Sequence, residues 1–266
     1  MGLKDFGGKI AEFYAERYQK MAGIEVPGPC PPLAEMLDVL TALPDEVYGR
    51  YAFHREPLRG KVPEAERDRL ILHCQAEGDR CAHELREEFG SLRPSELAAH
   101  LHLSVDRPFT PVGGGRVLFA EFEEPDKIRV YQSAVSRARE AIAEQGLEAY
   151  FHGIDIEEIL IAHELYHWVE QRYAHQLFSR NHTITLWTLG PYRHTAHLAC
   201  LSEITAMRFA KALTGLPCSP FFLDMFISYT YQPEAGAMLY RELQQTAAES
   251  PSSFSPENSP ICADSL

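Results

Sequence analysis

The sequence lacks the features that mark several broad protein classes. It has no run of basic residues, and its formal net charge of −13 opposes contact with nucleic-acid phosphates. No stretch approaches the roughly 18 uninterrupted apolar residues of a membrane span, and the first residues have no apolar core of signal-peptide length. We therefore expect a cytoplasmic protein whose partners are other proteins, with no direct contact to nucleic acid or membrane.

Paired cysteines and nucleotide-binding loops are also missing. The six cysteines are scattered, and none forms the Cys-x-x-Cys pair of a zinc ribbon. Without a secretory signal we expect reduced thiols, with a metal role for Cys74 and Cys81 as the alternative. The triple glycine at 113–115 is not followed by the Lys-Ser/Thr of a phosphate-binding loop, so we expect a turn there.

What is present is the composition of an ordinary globular protein, 45% hydrophobic and 24% charged. Residues 1–90 predict a helical N-terminal region with helices near 4–21, 33–43 and 63–89, bounded by Pro and Gly. This region carries no chemical motif. We expect it to pack on the remainder of the chain or on a partner.

Residues 91–245 have a different pattern, which predicts one domain of helices with a small sheet. Apolar alternation on both sides of a charged turn predicts a hairpin, and helical periodicity dominates elsewhere. Residues 246–266 are rich in Ser and Pro and predict a disordered tail. The fold class is therefore α+β and predominantly helical, with a small antiparallel or mixed sheet packed on a helix pair. The predicted elements of the domain are a helix at 94–101, a strand at 103–105, hairpin strands at 117–122 and 128–131, and helices at 132–145, 156–167, 194–214 and 221–243.

One segment carries an explicit chemical motif, because His163–His167 reads His-Glu-x-x-His. A spacing of four on an α-helix places both imidazoles on one face, where they can share one Zn²⁺. Glu164 then lies beside the metal as the general base for a bound water. Asp155 and Glu158 have the spacing of a capping box, which predicts that a helix begins just before the motif.

A catalytic zinc usually needs a third protein ligand. The long metzincin signature places a histidine ten residues after the first, but that position is Tyr173, and His175 misses the register. Glu203 is the alternative. It shares a helical face with the small residues Ala206 and Ala210, which allow close approach to the motif helix.

Over residues 91–220 the chain resembles the ImmA/IrrE family of zinc metallopeptidases. The resemblance rests on the segment His163–His167 followed by Glu203-x-x-Ala206-x-x-Phe209-Ala210, and on the order of the surrounding elements. It implies that His163, His167 and Glu203 bind one Zn²⁺ and that Glu164 is the general base. It also implies a protein substrate of a particular kind, a helix-turn-helix repressor.

Several roles stay open at this level. Tyr192, His194 and His197 lie between the two helices and are candidates for stabilising the oxyanion. Tyr166, where the family commonly has glycine, either packs in the core or shapes the substrate groove.

Two further questions concern how the substrate binds and whether it is cleaved. An extended peptide could add to the edge of the sheet at 117–122 or 128–131. The alternative to a peptidase is a non-catalytic zinc-binding regulatory or sensor module that acts through protein–protein contacts. Intact Glu164 favours the enzyme, since a structural zinc site needs no general base.

Overall fold

The computed structural model describes residues 30–109 and 119–250. It is 67% helical, which confirms the predicted, predominantly helical α+β class. Short 3₁₀ turns link several of the longer elements. The helices in these two ranges are α1 (Leu33–Ala42), α2 (Asp45–His54), α3 (Glu64–Phe89), α4 (Pro94–His100), α5 (Gln132–Gln145), α6 (Ile156–Arg172), α7 (Phe178–Asn181), α8 (Ala199–Thr214), α9 (Phe222–Tyr231) and α10 (Pro233–Glu249).

The five described strands form two separate sheets. The larger sheet is mixed and has the order β1-β3-β2, in which β3 is parallel to β1 and antiparallel to β2. The smaller sheet is the antiparallel hairpin β4–β5. The strands are β1 (Ser104–Asp106), β2 (Ala120–Glu123), β3 (Lys127–Val130), β4 (Ile184–Leu189) and β5 (Tyr192–Ala196).

The larger sheet packs against the motif helix α6 through β2 and β3. Ile128 and Val130 are fully buried, as expected for alternate residues on the covered face of a strand. Because β3 is the central strand, the edge predicted at 128–131 is wrong: β1 already pairs with it. Among the described residues, no strand pairs with the edge of β2 that faces away from β3.

The helices share one hydrophobic core that runs from Leu33 to Leu243 without a break at residue 90. Helix α3 packs along α8, and α8 packs along α6. Gly78 allows the first of these contacts, because a Cβ atom at this position would lie 2.7 Å from the carbonyl oxygen of Thr205. Within the described ranges, no helix is long and apolar enough to cross a membrane.

Two predicted helices differ from the structure. The helix predicted at 194–214 begins only at Ala199, because the residues before it form β5. The helix predicted at 221–243 is two helices, α9 and α10, that meet at Gln232. Pro233 lacks the N–H needed to continue the first helix and begins the second instead.

Other predicted helices, at 33–43, 63–89 and 132–145, are confirmed to within a few residues. The helix predicted at 4–21 and the turn at 113–115 lie outside the described residues. So does the tail beyond residue 250, although α10 continues to Glu249, inside the segment predicted as tail.

Candidate metal centre

The motif helix is held at its N-terminus by side chains from two directions. The Asp155 carboxylate accepts a hydrogen bond from the Glu157 backbone N–H at 2.8 Å, as an N-cap residue should. Glu158 does not complete the predicted capping box. Its carboxylate accepts hydrogen bonds from the Ser95 N–H at 2.9 Å and the Ser95 hydroxyl at 2.6 Å, which ties α6 to α4.

The structure brings the three predicted metal ligands together. The Nε2 atoms of His163 and His167 lie 3.2 Å apart. The Glu203 carboxylate oxygens lie 3.5 Å from the first of these nitrogens and 3.9 Å from the second. All three ligand atoms fall within 4.8 Å of one another, the separation at which they could hold a metal ion.

These separations fit a tetrahedral zinc ion. Ligand atoms about 2.05 Å from a tetrahedral Zn²⁺ lie about 3.3 Å from one another. The separations of 3.2 Å and 3.5 Å are close to this value, and the 3.9 Å between Glu203 and His167 is longer. The side chains of His163, His167 and Glu203 keep 14%, 21% and 19% of their surface exposed, so each is largely buried but still in contact with solvent. Among the described residues only these three form such a group, which leaves the fourth position for water or substrate.

Glu164 lies beside the cluster and is buried. Burial raises its pKa to about 7, and the carboxylates of Glu203 and Glu121 add to the rise, while His167 and the Phe122 backbone N–H oppose it. Tyr131 donates its N–H to the Phe119 carbonyl. In an antiparallel ladder the N–H of Phe122 therefore points away from β3, toward α6. The open edge of β2 thus faces the proposed base.

The ligands interact electrostatically even without a metal. Burial, with help from the His167 charge, lowers the pKa of His163. Burial also lowers the pKa of His167, but the hydrogen bond to Glu170 and the charges of Glu203 and Glu164 outweigh it and raise that pKa to about 9. Burial raises the pKa of Glu203. Protons compete with a metal ion for these ligands, so metal binding should weaken as the pH falls.

Sequence reasoning missed Glu170. Its Oε2 atom lies 3.4 Å from His167 Nδ1 and accepts a 2.9 Å hydrogen bond from the Ser202 hydroxyl. Glu170 follows His167 by three residues on the same helical face, and this spacing was a signal that could have identified it.

Sequence reasoning also missed Glu56 and Glu77. Glu56 is buried in the N-terminal region, where no chemical motif was recognised, and it accepts a 3.1 Å hydrogen bond from the Cys200 N–H in the first turn of α8. Glu77 accepts hydrogen bonds from the N–H groups of Phe178 and Ser179 at the start of α7. No local pattern pointed to either residue.

Tyr166 packs inside the protein and does not line a groove. It is fully buried, and its hydroxyl is 2.8 Å from the Ser179 Oγ and donates to Glu77 at 3.3 Å. Its ring packs against Phe209 of α8, with ring centroids 5.6 Å apart. Of the two roles left open for this tyrosine, the structure supports packing.

The three candidate oxyanion residues do not join the cluster. Tyr192 and His194 lie on β5, where Tyr192 is 73% exposed and the His194 ring contacts Trp187. His197 follows β5, and its Nδ1 donates to the His182 carbonyl at 3.1 Å. No hydrogen bond, ion pair or ring contact among the described residues joins these three to His163, His167 or Glu203.

Comparison with known proteins gives no match to any family model, curated protein or solved structure. The resemblance to the ImmA/IrrE family therefore stays a prediction, which rests on the motif residues and on the order of the surrounding elements. The functional argument rests on the geometry of the candidate centre.

Proposed function

We propose that this chain is a zinc-dependent metalloendopeptidase that cleaves a specific protein, such as a helix-turn-helix repressor. One observation carries the proposal: three ligand atoms lie within 4.8 Å of one another, and a buried glutamate follows the first ligand directly. The described residues offer no fourth protein ligand. Catalytic zinc sites have this composition, whereas structural sites close all four positions with protein ligands.

His163, His167 and Glu203 would hold the metal, and Glu164 would move the proton. When bound there, the metal would supply Lewis-acid chemistry, namely an acidified water molecule and polarisation of the scissile carbonyl. Glu164 accepts a proton from the attacking water and returns it to the leaving amine. Burial favours the protonated form of Glu164, and the charge of a bound metal ion would favour its carboxylate, so these two opposing effects suit a group that takes and returns a proton.

The edge of β2 could bind an extended peptide next to Glu164. Alternate backbone groups of this strand, among them the Phe122 N–H, face away from β3. An extended peptide that pairs with this edge would run beside α6. Its scissile carbonyl would then lie near both Glu164 and the three ligands.

Metal content is the first test. Protein purified without chelator should contain about one zinc per chain, and His163→Ala, His167→Ala or Glu203→Ala should remove it. Exposed His83→Ala serves as the matched control and should keep the metal. A wild-type protein that takes up no zinc, even when zinc is supplied, would sink the proposal.

Cleavage is the second test, with purified helix-turn-helix repressors and an internally quenched peptide library as probes. Glu164→Gln should keep its zinc and lose cleavage by about 10²- to 10⁴-fold. Glu144→Gln changes an exposed glutamate on α5 and should cleave normally. Equal cleavage by Glu164→Gln would show that the base is wrong. Zinc binding without cleavage by the wild type would favour a zinc-binding sensor module over a peptidase.

A further inference from the structure

The two histidines of the candidate centre differ in how they are held. His167 Nδ1 faces the Glu170 carboxylate at 3.4 Å. The corresponding Nδ1 of His163 is buried and has no hydrogen-bond partner among the described residues. One ligand is thus oriented by a side chain, and the other by packing alone.

We infer that Glu170 is the positioning residue for the metal ligand His167, and that Ser202 holds Glu170 in place. This inference rests on the proposed metal centre. Under this inference, Glu170 and Ser202 increase metal affinity although neither residue binds the metal.

The chemistry of imidazole makes this arrangement effective. When Nδ1 carries the proton and donates it to Glu170, the lone pair of Nε2 is free to bind a metal. The two nitrogens lie on opposite sides of the ring. A carboxylate hydrogen-bonded to Nδ1 therefore cannot also reach an ion bound at Nε2, so Glu170 orients the ligand without occupying the open fourth position.

Burial strengthens the arrangement. Glu170 and Ser202 are only 8% and 7% exposed, so few water molecules compete for the carboxylate. The Ser202 hydroxyl and His167 Nδ1 converge on the same oxygen, Oε2. The other oxygen, Oε1, is buried and has no hydrogen-bond partner in the part of the chain that the structure describes. The orientation of the carboxylate thus depends on Ser202.

Ser202 also connects the two metal-binding helices. It directly precedes Glu203 at the start of α8, while Glu170 and His167 belong to α6. A single turn of α8 therefore supplies one metal ligand, Glu203, and the residue that holds Glu170 against a second ligand, His167. A shift of α8 along α6 would disturb both at once.

The test measures zinc affinity by competition with a chromophoric chelator at constant pH. Glu170→Ala should weaken zinc binding by about 10- to 100-fold, the range for loss of a partner that orients a ligand. Glu170→Gln should recover part of this loss, because its amide oxygen can still accept from Nδ1. Ser202→Ala should weaken binding less than Glu170→Ala does.

The double variant Glu170→Ala/Ser202→Ala tests whether Ser202 acts through Glu170. If Ser202 acts through Glu170, the double variant should bind zinc no more weakly than Glu170→Ala alone. In the zinc-loaded wild type, the His167 Nδ1 proton should give a downfield, slowly exchanging resonance that Glu170→Ala loses. A merely structural role would not move this signal. Exposed Glu144→Ala should leave both readouts unchanged.

The possible failures are distinguishable. If the wild type binds no zinc, the proposed function itself is wrong. If the wild type binds zinc and Glu170→Ala binds it equally tightly, or if Glu170→Gln recovers none of the loss, the inference about Glu170 is overturned. If the losses from Glu170→Ala and Ser202→Ala multiply in the double variant, the role of Ser202 is overturned. Thermal melting of the metal-free protein identifies any variant that fails to fold. If Glu170→Ala fails to fold, Glu170→Gln replaces it in the comparison of single and double variants with Ser202→Ala.

Discussion

The two helices that supply the candidate centre begin in different ways. Helix α6 carries its own N-cap, Asp155, two residues from the N–H that it binds. Helix α8 begins at Ala199, and its N-cap residue Leu198 supplies no side-chain hydrogen bond. Glu56, 144 positions before Cys200, accepts a hydrogen bond from the Cys200 N–H in the first turn instead. The first helix start is encoded locally, and the second depends on tertiary structure.

The difference gives the N-terminal helices a role in the site. Besides Glu56, the carboxylates of Asp45 on α2 and Asp79 on α3 pair with Arg208 of α8, the latter at 2.6 Å. Helix α3 also approaches α8 closely at Gly78. These contacts hold α8, which carries Glu203, whereas the N-terminus of the motif helix is held by its own cap and by α4. Variants that remove contacts of α8 should therefore affect the cluster differently from variants that remove contacts of α6.

The largest effect should come from Gly78→Ala. A new Cβ would meet the Thr205 carbonyl oxygen at 2.7 Å and the Phe209 nitrogen at 2.9 Å, and neither backbone atom can move cheaply. We expect a loss of about 3 kcal/mol in the free energy of unfolding, despite the better helix propensity of alanine. Urea titration would measure it. Gly60→Ala, where a Cβ has open space, is the control, and equal stability of the two variants would contradict close packing of α3 on α8.

Glu56→Ala should cost somewhat less, about 2 kcal/mol, because it leaves the buried Cys200 N–H without its acceptor. Since Cys200 lies only one turn before Glu203, zinc affinity should fall as well. Urea titration and chelator competition would measure the two effects, with exposed Glu88→Ala as control. A variant that is destabilised but binds zinc with wild-type affinity would show that the cap does not position the ligand.

This contrast also explains what the sequence could predict of the site. The motif residues were identifiable because helical spacing alone brings them to one face. Glu203 was identifiable because small residues at Ala206 and Ala210 mark a close helix contact. Glu56 and Glu77 were not, since each binds backbone groups more than 100 residues away.

The same reasoning applies to the fold. Helices with strong periodicity and clear Pro or Gly boundaries, such as α3 and α5, were predicted closely. Residues 194–196 of β5 were wrongly joined to α8, because a short exposed strand has no buried face to give it alternating hydrophobicity. The pairing of β1 with β3 was also missed, since strand order depends on contacts that no local pattern records.

Asp155→Ala probes the local cap and should cost about 1 kcal/mol in the free energy of unfolding. Because Glu158 also ties α6 to α4, zinc affinity should stay near the wild-type value. Urea titration beside Glu56→Ala gives the comparison directly. If Asp155→Ala weakened zinc binding more than Glu56→Ala, the proposed difference between the two helices would be wrong.

The charge of Asp155 should make a smaller contribution that depends on pH. Partial burial raises its pKa, but hydrogen bonds from Arg139 and the Glu157 N–H outweigh this, so its pKa in the folded protein lies below the ordinary value. Its stabilisation is therefore fully present above the unfolded pKa of about 3.9 and disappears as the pH falls through the lower folded value. Asp155→Asn keeps an N-cap, and its stability difference from the wild type should be below about 1 kcal/mol at pH 7. That difference should shrink as the pH falls below about 3.9. A difference that grew on acidification would contradict a lowered pKa for Asp155.

The smallest effects should come from the β4–β5 hairpin, which lies between α6 and α8 in the sequence and supplies none of the proposed ligands. Trp187 pairs with His194, and Leu189 pairs with Tyr192, so these four side chains share one face of the hairpin. Trp187 and Tyr192 are 53% and 73% exposed. Trp187→Ser and Tyr192→Phe should therefore change the free energy of unfolding by less than about 0.5 kcal/mol and leave zinc affinity unaltered.

Tyr192→Phe also tests the oxyanion role suggested by the sequence, because it removes only the hydroxyl group. If that hydroxyl stabilised the transition state, kcat should fall by about 10²-fold or more while KM stayed constant. We expect no such loss, because Tyr192 makes no hydrogen bond, ion pair or ring contact with the cluster among the described residues. A selective fall in kcat would place the hairpin over the metal during catalysis. The sharp distinction between the two buried helices and the exposed segment that joins them would then fail.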